Sequence, residues 1–250
     1  MQKVLREAKV HSNWAQPDEV YEKSVFKFVK DILAHKKFRN SLDPFIGKIS
    51  GLGVIKSLGQ ILIKITAPGI PDIYQGTELW DLSFVDPDNR RPVDYDLRMK
   101  YLEDFKGFAR NALPQNLEFL KSNYSSGQIK MFVMHTSLLQ RRKDQDLFQK
   151  GEYIPLLVSG KNSEKFISYA RVLNGEWRII IVPLLIAELF NHKNLRPINE
   201  QFKDVFIVLP ENAPSEWDFI FKDETIITDG SLALKDLFDD FPVVFLKNRN

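Results

Sequence analysis

A short polar loop holds most of the side chains in this sequence that could bind a ligand. Six of its nine residues are acidic, amide or basic: Asp86, Asp88, Asn89, Arg90, Arg91 and Asp94. Such groups recognise neutral sugars, because each sugar hydroxyl both donates and accepts hydrogen bonds. An arginine also presents a rigid guanidinium that spans adjacent hydroxyls or orients a carboxylate. The same residue types suit a loop braced by its own Asp–Arg pairs, and both interpretations stay open.

The loop follows a segment that the sequence predicts to be a short buried strand. A helix-period apolar run ends at Pro68 and Gly69, which break helices. Residues 70–74 then have the composition of a strand, and a turn follows at Gln75-Gly76. Barrel enzymes place ligand contacts in the loops at the carboxyl ends of such strands. Tyr74, at the end of the segment, is therefore expected either to pack in a barrel or to face a sugar.

These residues carry a resemblance to a known family. Residues 68–78, Pro-Gly-Ile-Pro-Asp-Ile-Tyr-Gln-Gly-Thr-Glu, resemble the eighth barrel strand of the α-amylase superfamily of glycoside hydrolases. Together with the polar loop and with residues 6–14, Arg-Glu-Ala-Lys-Val-His-Ser-Asn-Trp, they resemble the maltooligosyltrehalose synthases in particular. The resemblance implies an isomerase that converts the reducing-end α-1,4 linkage of a maltooligosaccharide to an α,α-1,1 linkage. Within the loop it makes Asp88 and Arg90 the first candidates for sugar contacts.

The same resemblance implies that the bond-breaking residues lie outside this chain. The family carries its nucleophile Asp, its acid/base Glu and its transition-state-stabilising Asp on barrel strands four, five and seven. No residue in this sequence matches any of the three, so no catalytic residue is assigned. We therefore expect the C-terminal portion of such an enzyme, inactive alone, with a maltooligosaccharide substrate and the N-terminal barrel portion as partner. The alternative is a free-standing carbohydrate-binding or structural module.

The run His11-Ser-Asn-Trp14 is a second candidate for sugar contacts. One interpretation is the chain that leads into the next helix, with Trp14 packed on its first turn as a hydrophobic staple. The other is a pyranose ring stacked on Trp14, with His11 hydrogen-bonded to a hydroxyl. The four histidines lack ligand spacing and the chain has no cysteine, so we expect no metal site. No phosphate-binding loop or dinucleotide fingerprint is present, and we expect no cofactor.

The apolar period changes near residue 150, which predicts an α/β part followed by an all-β part. Residues 1–150 are expected to form the last segment of a (β/α)8 TIM barrel, namely the eighth strand and surrounding helices. Helices are predicted at 17–34, 41–66, 95–109, 115–121 and 128–142. Residues 151–250 are expected to form a C-terminal antiparallel β-sandwich. Its predicted strands are 154–158, 165–173, 177–185, 205–209, 218–221, 224–228 and 243–246, with a hairpin turn at Asn174-Gly175.

Composition limits the remaining classes of function. The 250 residues carry a net charge of +2, so we expect neither nucleic acid nor an anionic membrane as partner. No uncharged apolar run approaches the ~20 residues that span a bilayer. The charged N-terminus does not resemble a secretory signal. With no cysteine, the chain fits the reducing cytoplasm.

Overall fold

A computed structural model of the protein describes residues 1–83, 91–108 and 113–249. Contacts divide the chain into two compact units. The first unit comprises Met1–Lys48 with Asp81–Val93, and the second comprises Ile49–Trp80 with Asp94–Asn250. The helices are α1 (Gln2–Ala8), α2 (Glu19–Ala34), α3 (Lys36–Thr66), α4 (Tyr95–Lys106), α5 (Leu113–Ser122), α6 (Gln128–Lys143), α7 (Gln145–Lys150) and α8 (Leu234–Leu237).

The five helices predicted from apolar spacing are confirmed, with differences at their ends. At the start of α2, the Asp18 carboxylate accepts a hydrogen bond from the Tyr21 N–H at 2.9 Å. Such a cap satisfies an N–H group that has no partner within the helix. Helix α3 runs unbroken through its glycines, and a Cβ at Gly51 would lie 1.9 Å from the His192 carbonyl oxygen. Gly51 therefore marks a close backbone approach and not a break.

Helix α3 is long and apolar enough to cross a membrane when only length and composition are considered. Its most apolar window of 18 residues has a mean hydropathy of 1.3, and 39% of that window is buried in the fold. Core helices pass the same test, and Ile55, Leu58 and Leu62 of α3 belong to the hydrophobic core. The expected absence of a membrane partner stays a prediction.

The β-rich region forms two antiparallel sheets within the second unit. The strands are β1 (Glu152–Pro155), β2 (Leu157–Gly160), β3 (Phe166–Leu173), β4 (Glu176–Pro183), β5 (Val205–Val208), β6 (Glu216–Phe219), β7 (Thr225–Ile227), β8 (Ser231–Ala233) and β9 (Val244–Asn248). One sheet has the order β1-β3-β4-β9-β6-β7, and the other has the order β2-β5-β8. The single strand predicted at 154–158 is split at Leu156, where the chain passes from one sheet to the other.

The predicted hairpin between β3 and β4 is confirmed. Leu173 pairs with Glu176, and the two residues between them have positive φ, 52° at Asn174 and 81° at Gly175. A two-residue turn with both φ values positive matches the right-handed twist of the flanking strands. An Asn-Gly pair adopts that conformation at low cost.

Strand β4 lies in the middle of the second unit, because both of its faces are covered. Toward the helices, Val182 contacts the Cα region of Gly59 on α3, and Arg178 pairs with Asp144 between α6 and α7. Ile179 and Ile181 point to the opposite face and are fully buried. The sequence of a strand that is buried on both faces is a continuous apolar run and does not alternate between apolar and polar residues. The second unit therefore contains a helical layer, a six-stranded sheet and a three-stranded sheet around one core.

The strand predicted at residues 70–74 does not form in this chain. These residues adopt no regular secondary structure, and Ile70 is 95% exposed where the prediction placed a buried side chain. A strand needs main-chain partners on a neighbouring strand, and none of the described residues supplies them here. The apolar composition was read correctly, but the expectation of a buried strand within this chain was wrong.

The domain boundary predicted between residues 150 and 151 stays a prediction. The strands do begin at Glu152, immediately after α7. However, the helices that precede this point pack on the sheet within the second unit, as Phe148 does on Phe245 at a ring-centroid distance of 6.4 Å. The β-rich region thus packs against the preceding helices within the second unit.

Candidate functional site

The residues before the polar loop form an irregular segment, 67–80, which we call the signature segment. Its carbonyl oxygens lack strand partners and accept hydrogen bonds from long cationic side chains instead. The carbonyls of Gly69, Asp72 and Leu79 accept from Arg141, Lys64 and Lys130, respectively. Leu79 is buried, and a buried main-chain oxygen without a partner costs about as much as a lost hydrogen bond, whereas Gly69 and Asp72 are exposed. The segment is consequently fixed in place without belonging to a sheet.

Arg171 on β3 fixes the point at which the signature segment leaves α3. Its side chain is 1% exposed, and its hydrogen bonds within the described residues all go to main-chain carbonyls. One partner is Thr66, the last residue of α3, at 3.1 Å. Others are Phe148 in the last turn of α7 and Gly151 just after it, each at 3.0 Å. Burial lowers the pKa of Arg171, while the negative ends of two helix dipoles favour the charged guanidinium.

Arg98 on α4 joins the two ends of the chain stretch that contains the polar loop. Its Nε donates to Glu78 Oε2 at 2.8 Å, and its NH2 donates to the Gly76 carbonyl at 2.6 Å. Its NH1 donates to the carbonyl of Asp94, the last residue of the polar loop, at 2.9 Å. Side-chain exposure is 13% for Arg98 and 22% for Glu78, so the pair is largely shielded from water. We call Arg98, Glu78 and the two carbonyls the loop clamp.

The signature segment ends against the glycine that precedes α6. Gly127 has φ +80°, and a Cβ there would lie 3.0 Å from the Trp80 nitrogen and 3.1 Å from the Leu79 Cα. The indole Nε1 of Trp80 donates to the Tyr124 carbonyl at 2.6 Å. Only glycine leaves room for the backbone to approach this closely. The stretch is thus anchored at Trp80, ahead of the polar loop.

Of the sequence-predicted site residues, four lie outside the described residues: Asp86, Asp88, Asn89 and Arg90. In the second unit, Tyr74 is 50% exposed and its carbonyl accepts the Thr77 hydroxyl, so the Tyr74 side chain does not pack in a core. Asp94 caps α4 by accepting from the Leu97 N–H at 2.9 Å. The Asp94 side chain therefore acts as a helix cap, and the Asp–Arg pairs within the polar loop stay a prediction. Arg91, in the first unit, is exposed.

His11 and Trp14 lie together near α1 and α2 in the first unit. The Trp14 indole Nε1 donates to Glu7 at 2.8 Å, and the Arg6 guanidinium lies 5.2 Å from the ring centroid. The His11 ring lies 5.0 Å from the Tyr21 ring. Trp14 is 51% exposed and is held by the polar side chains of α1. Half of the indole surface thus remains accessible to a sugar ring, and the predicted sugar contact stays a prediction.

Sequence reasoning missed the buried carboxylate beside these residues. Glu22 on α2 accepts from Arg6 Nε at 2.7 Å and from the Ser12 hydroxyl at 2.6 Å, and its side chain is 3% exposed. The Arg6 hydrogen bond, followed by that from Ser12, lowers the pKa of Glu22 to about 2. This cluster fixes α1 to α2. The partners are separated by 16 and 10 positions, so no local spacing rule could have paired them.

No group of three or more His, Cys, Asp or Glu side chains that could hold a metal ion occurs in the part of the chain that the structure describes. The described residues instead offer an anchored segment, the loop clamp and a half-exposed tyrosine. The clamp and the anchors were not predicted as such, because each joins residues that are far apart in sequence.

Comparison with known proteins decides which family the chain resembles. No family model matches it. A solved maltooligosyltrehalose synthase from Arthrobacter ramosus matches 99% of the chain with a TM-score of 0.78 and 26% sequence identity. The chain resembles a part of maltooligosyltrehalose synthase. A structure from Sulfolobus tokodaii, described as a hypothetical maltooligosyl trehalose synthase, matches 98% of the chain with a TM-score of 0.65 and 27% identity.

Curated sequences agree with this resemblance to maltooligosyltrehalose synthase. Proteins of two Mycobacterium tuberculosis strains, CDC 1551 / Oshkosh and ATCC 25618 / H37Rv, are described as putative maltooligosyl trehalose synthases. Each is 29% identical over 170 residues, which is 68% of this chain. The chain spans only 19% of these curated relatives and 29% of the Arthrobacter enzyme. The predicted resemblance to a C-terminal portion of such a synthase is confirmed.

Proposed function

We propose that this chain is the C-terminal portion of a maltooligosyltrehalose synthase and acts in trehalose biosynthesis. In the proposed reaction, the reducing-end α-1,4 linkage of a maltooligosaccharide becomes an α,α-1,1 linkage by intramolecular transglucosylation. The observation that carries the proposal is the fold match over 99% of the chain to a synthase of which the chain covers 29%. Both the helices and the β-rich region take part in that match.

The chain contributes sugar contacts and one wall of the active site, and another part of the enzyme breaks the bond. A retaining mechanism needs a nucleophilic carboxylate and an acid, and no residue here matches either. After bond cleavage the freed glucose must stay bound, turn and attack through its own anomeric hydroxyl. Water must be excluded meanwhile, since water would give hydrolysis. The polar loop, with Asp88 and Arg90 as first candidates, holds that glucose, and the loop clamp fixes its two flanks.

Residues 70–74 become the eighth strand of a (β/α)8 barrel only when the N-terminal barrel portion supplies neighbouring strands. The exposed side chains of Ile70 and Tyr74 support this, as do the anchors at both ends of the signature segment. A strand position that is fixed at its ends but unpaired is ready to accept partners. The site of action is the cytoplasm, in keeping with a chain without cysteine.

An assay of maltopentaose conversion tests the proposal. The chain alone should neither isomerise nor hydrolyse the sugar above background, whereas the chain with an N-terminal portion should give a trehalose-ended product. In the complete enzyme, Arg90→Ala should lower the ratio of isomerisation to hydrolysis by about tenfold for ~1.4 kcal/mol of lost binding. An unchanged ratio with a lowered melting temperature would show that Arg90 only braces the loop. Turnover by the pure chain, abolished by a substitution within it, would contradict its inactivity.

One observation favours a second candidate function, that of a free-standing carbohydrate-binding or structural module. The second unit contains its own continuous hydrophobic core, from Ile55 and Leu58 on α3 to Phe245 on β9. A unit with a complete core is able to fold without further segments. Calorimetric titration of the isolated chain with maltopentaose separates the two: millimolar or tighter binding favours the module, and no binding favours the incomplete enzyme.

A further inference from the structure

A groove lies where the chain passes from the six-stranded sheet to the three-stranded sheet. Strand β7 is an edge of the first sheet, β8 is an edge of the second, and residues 228–230 connect them. The cavity between these elements has a volume of about 360 Å³. We call it the edge groove, and the residues that line it include Phe206, Ile227, Asp229, Ser231, Ala233 and Asp236.

The apolar part of this lining is open to water. Phe206 on β5 is 38% exposed, whereas its chain neighbours Val205 and Ile207 are buried. Phe206 pairs in register with Ala233 on β8, whose small methyl group leaves one flank of the aromatic ring uncovered. Ile227 at the end of β7 is 73% exposed. When one face of an antiparallel sheet packs on the core, its other face is usually polar, so these outward apolar side chains require an explanation.

Two carboxylates of the lining lack a partner among the described residues. Neither Asp229 nor Asp236 forms a hydrogen bond or an ion pair through its side chain there. No lysine, arginine or histidine within the described ranges lines the edge groove. An ionised carboxylate only accepts hydrogen bonds. The groove therefore favours a ligand that donates hydrogen bonds and repels an anion.

The main chain on either side of these carboxylates is fixed before any ligand binds. The Thr228 N–H donates a main-chain hydrogen bond at 2.8 Å, and the Gly230 carbonyl accepts one at 2.9 Å. Asp236 lies on α8, which Leu237 fixes to the hydrophobic core. Groups that are already in place bind a ligand at a lower entropic cost than mobile ones.

We propose that the edge groove is a second binding site for a neutral maltooligosaccharide, separate from the polar loop. A pyranose ring has apolar C–H faces as well as hydroxyls, so one ring packs on Phe206 and donates to Asp229 and Asp236. Hydrogen bonds to an ionised acceptor are stronger than those between neutral groups. The choice of a maltooligosaccharide among neutral sugars rests on the proposed function. Because the contacts are few, we expect a Kd on the order of 10 mM, too weak to alter the calorimetric comparison.

Two other occupants fit this lining less well. In an isologous contact with a second copy, the same surface lies on both sides, so the carboxylates of one copy meet no cation of the other groove. A cationic head group from another protein pairs with the carboxylates but leaves Phe206 and Ile227 uncovered. A sugar ring supplies both kinds of contact. Both alternatives are outcomes of the test.

An NMR titration of the full chain with maltopentaose tests the proposal. The amide signals of Phe206 and of residues 226–236 should shift and saturate with a Kd on the order of 10 mM. Phe206→Leu keeps an apolar side chain but removes the ring, and should raise the Kd about fivefold. The double variant Asp229→Ala with Asp236→Ala should raise it about tenfold or more. Unchanged signals outside the groove show that each variant is folded.

Two variants outside the edge groove are matched controls. Leu157→Ala shortens an exposed apolar side chain of the same sheet, and Glu211→Ala removes an exposed carboxylate. Neither should change the Kd by more than about twofold. Sorbitol, which has hydroxyls but no pyranose ring, should give no saturating shift.

Several results would overturn the proposal. They are the absence of groove shifts with maltopentaose, an unchanged Kd in the double aspartate variant, and loss of binding in the Leu157→Ala control. Groove shifts with tetralysine but not with maltopentaose assign the groove to a cationic partner. A dimer in sedimentation that Phe206→Leu dissociates, without groove shifts from the sugar, assigns it to a second copy. Groove binding without conversion of maltopentaose by the complete enzyme supports the second site and contradicts only the proposed function.

Discussion

The Arg98 guanidinium donates to the Glu78 carboxylate at 2.8 Å and, at the same time, to the carbonyls of Gly76 and Asp94. One side chain thereby holds residues that precede the polar loop together with the loop's last residue. A planar guanidinium with several fixed N–H directions suits this role better than a lysine ammonium. The polar loop owes the spacing of its flanks to this contact.

We expect Arg98 and Glu78 to be energetically coupled. A double-mutant cycle with Arg98→Ala and Glu78→Ala, measured by urea unfolding, should give a coupling of ~1–2 kcal/mol, because both side chains are largely shielded. The matched control is the exposed pair Lys106–Glu103, with side-chain exposures of 67% and 62%. Its coupling should stay near ~0–0.5 kcal/mol. Equal couplings in the two cycles would argue against the loop clamp.

Arg171→Leu should destabilise the second unit by at least ~2 kcal/mol. The substitution keeps an apolar stem but leaves the carbonyls of Thr66, Phe148 and Gly151 without their donor. A buried acceptor that loses its partner costs ~1–3 kcal/mol. Arg142→Leu, at an exposed position on α6, is the control and should change the unfolding free energy by less than ~0.5 kcal/mol. Equal effects would mean that the hydrogen bonds of Arg171 contribute no net stability.

Gly127→Ala should cost more than Gly175→Ala, although the two glycines have nearly the same φ, +80° and +81°. The added methyl at Gly127 meets the backbone of Leu79 and Trp80, whereas no atom lies within 4 Å of the one at Gly175. The shared conformational cost is ~1–2 kcal/mol. The difference between the variants, ~1–3 kcal/mol by thermal or urea unfolding, therefore reports the packing of the signature segment. A difference near zero would show that this contact relaxes freely.

The Glu22 cluster should make the first unit sensitive to acid. The hydrogen bond from Arg6 lowers the pKa of Glu22 to about 2 from its ordinary value of 4.5. Because the folded pKa lies below the unfolded one, the stabilisation is fully present above about pH 4.5 and is lost as the pH falls toward 2. Carboxyl NMR titration should report this low pKa, and Arg6→Gln should raise it. Lys23→Gln is the control, and an Arg6→Gln variant with an unchanged Glu22 pKa would contradict the assigned cause.

Local sequence predicted much of the secondary structure. The period of 3.6 predicted the five long helices, and the Asn174-Gly175 turn fixed the register of β3 against β4, with Leu173 opposite Glu176. Strand β8 was not among the predicted strands. The charged residues of the polar loop could be identified from the sequence. The role of Arg98 could not, because no sequence pattern sets Arg98 apart from other helical arginines.

The sequence by itself determined the elements whose partners are near in the chain: helices, hairpins and caps such as Asp18 and Asp94. It also determined the family resemblance, since the residues of the signature segment are consecutive. Only the tertiary structure decided that residues 70–74 remain unpaired, that Arg171 reaches Thr66, and that Gly51 meets His192. The physical reason is that each of these outcomes depends on groups brought together from distant positions. No local period or spacing encodes such an approach.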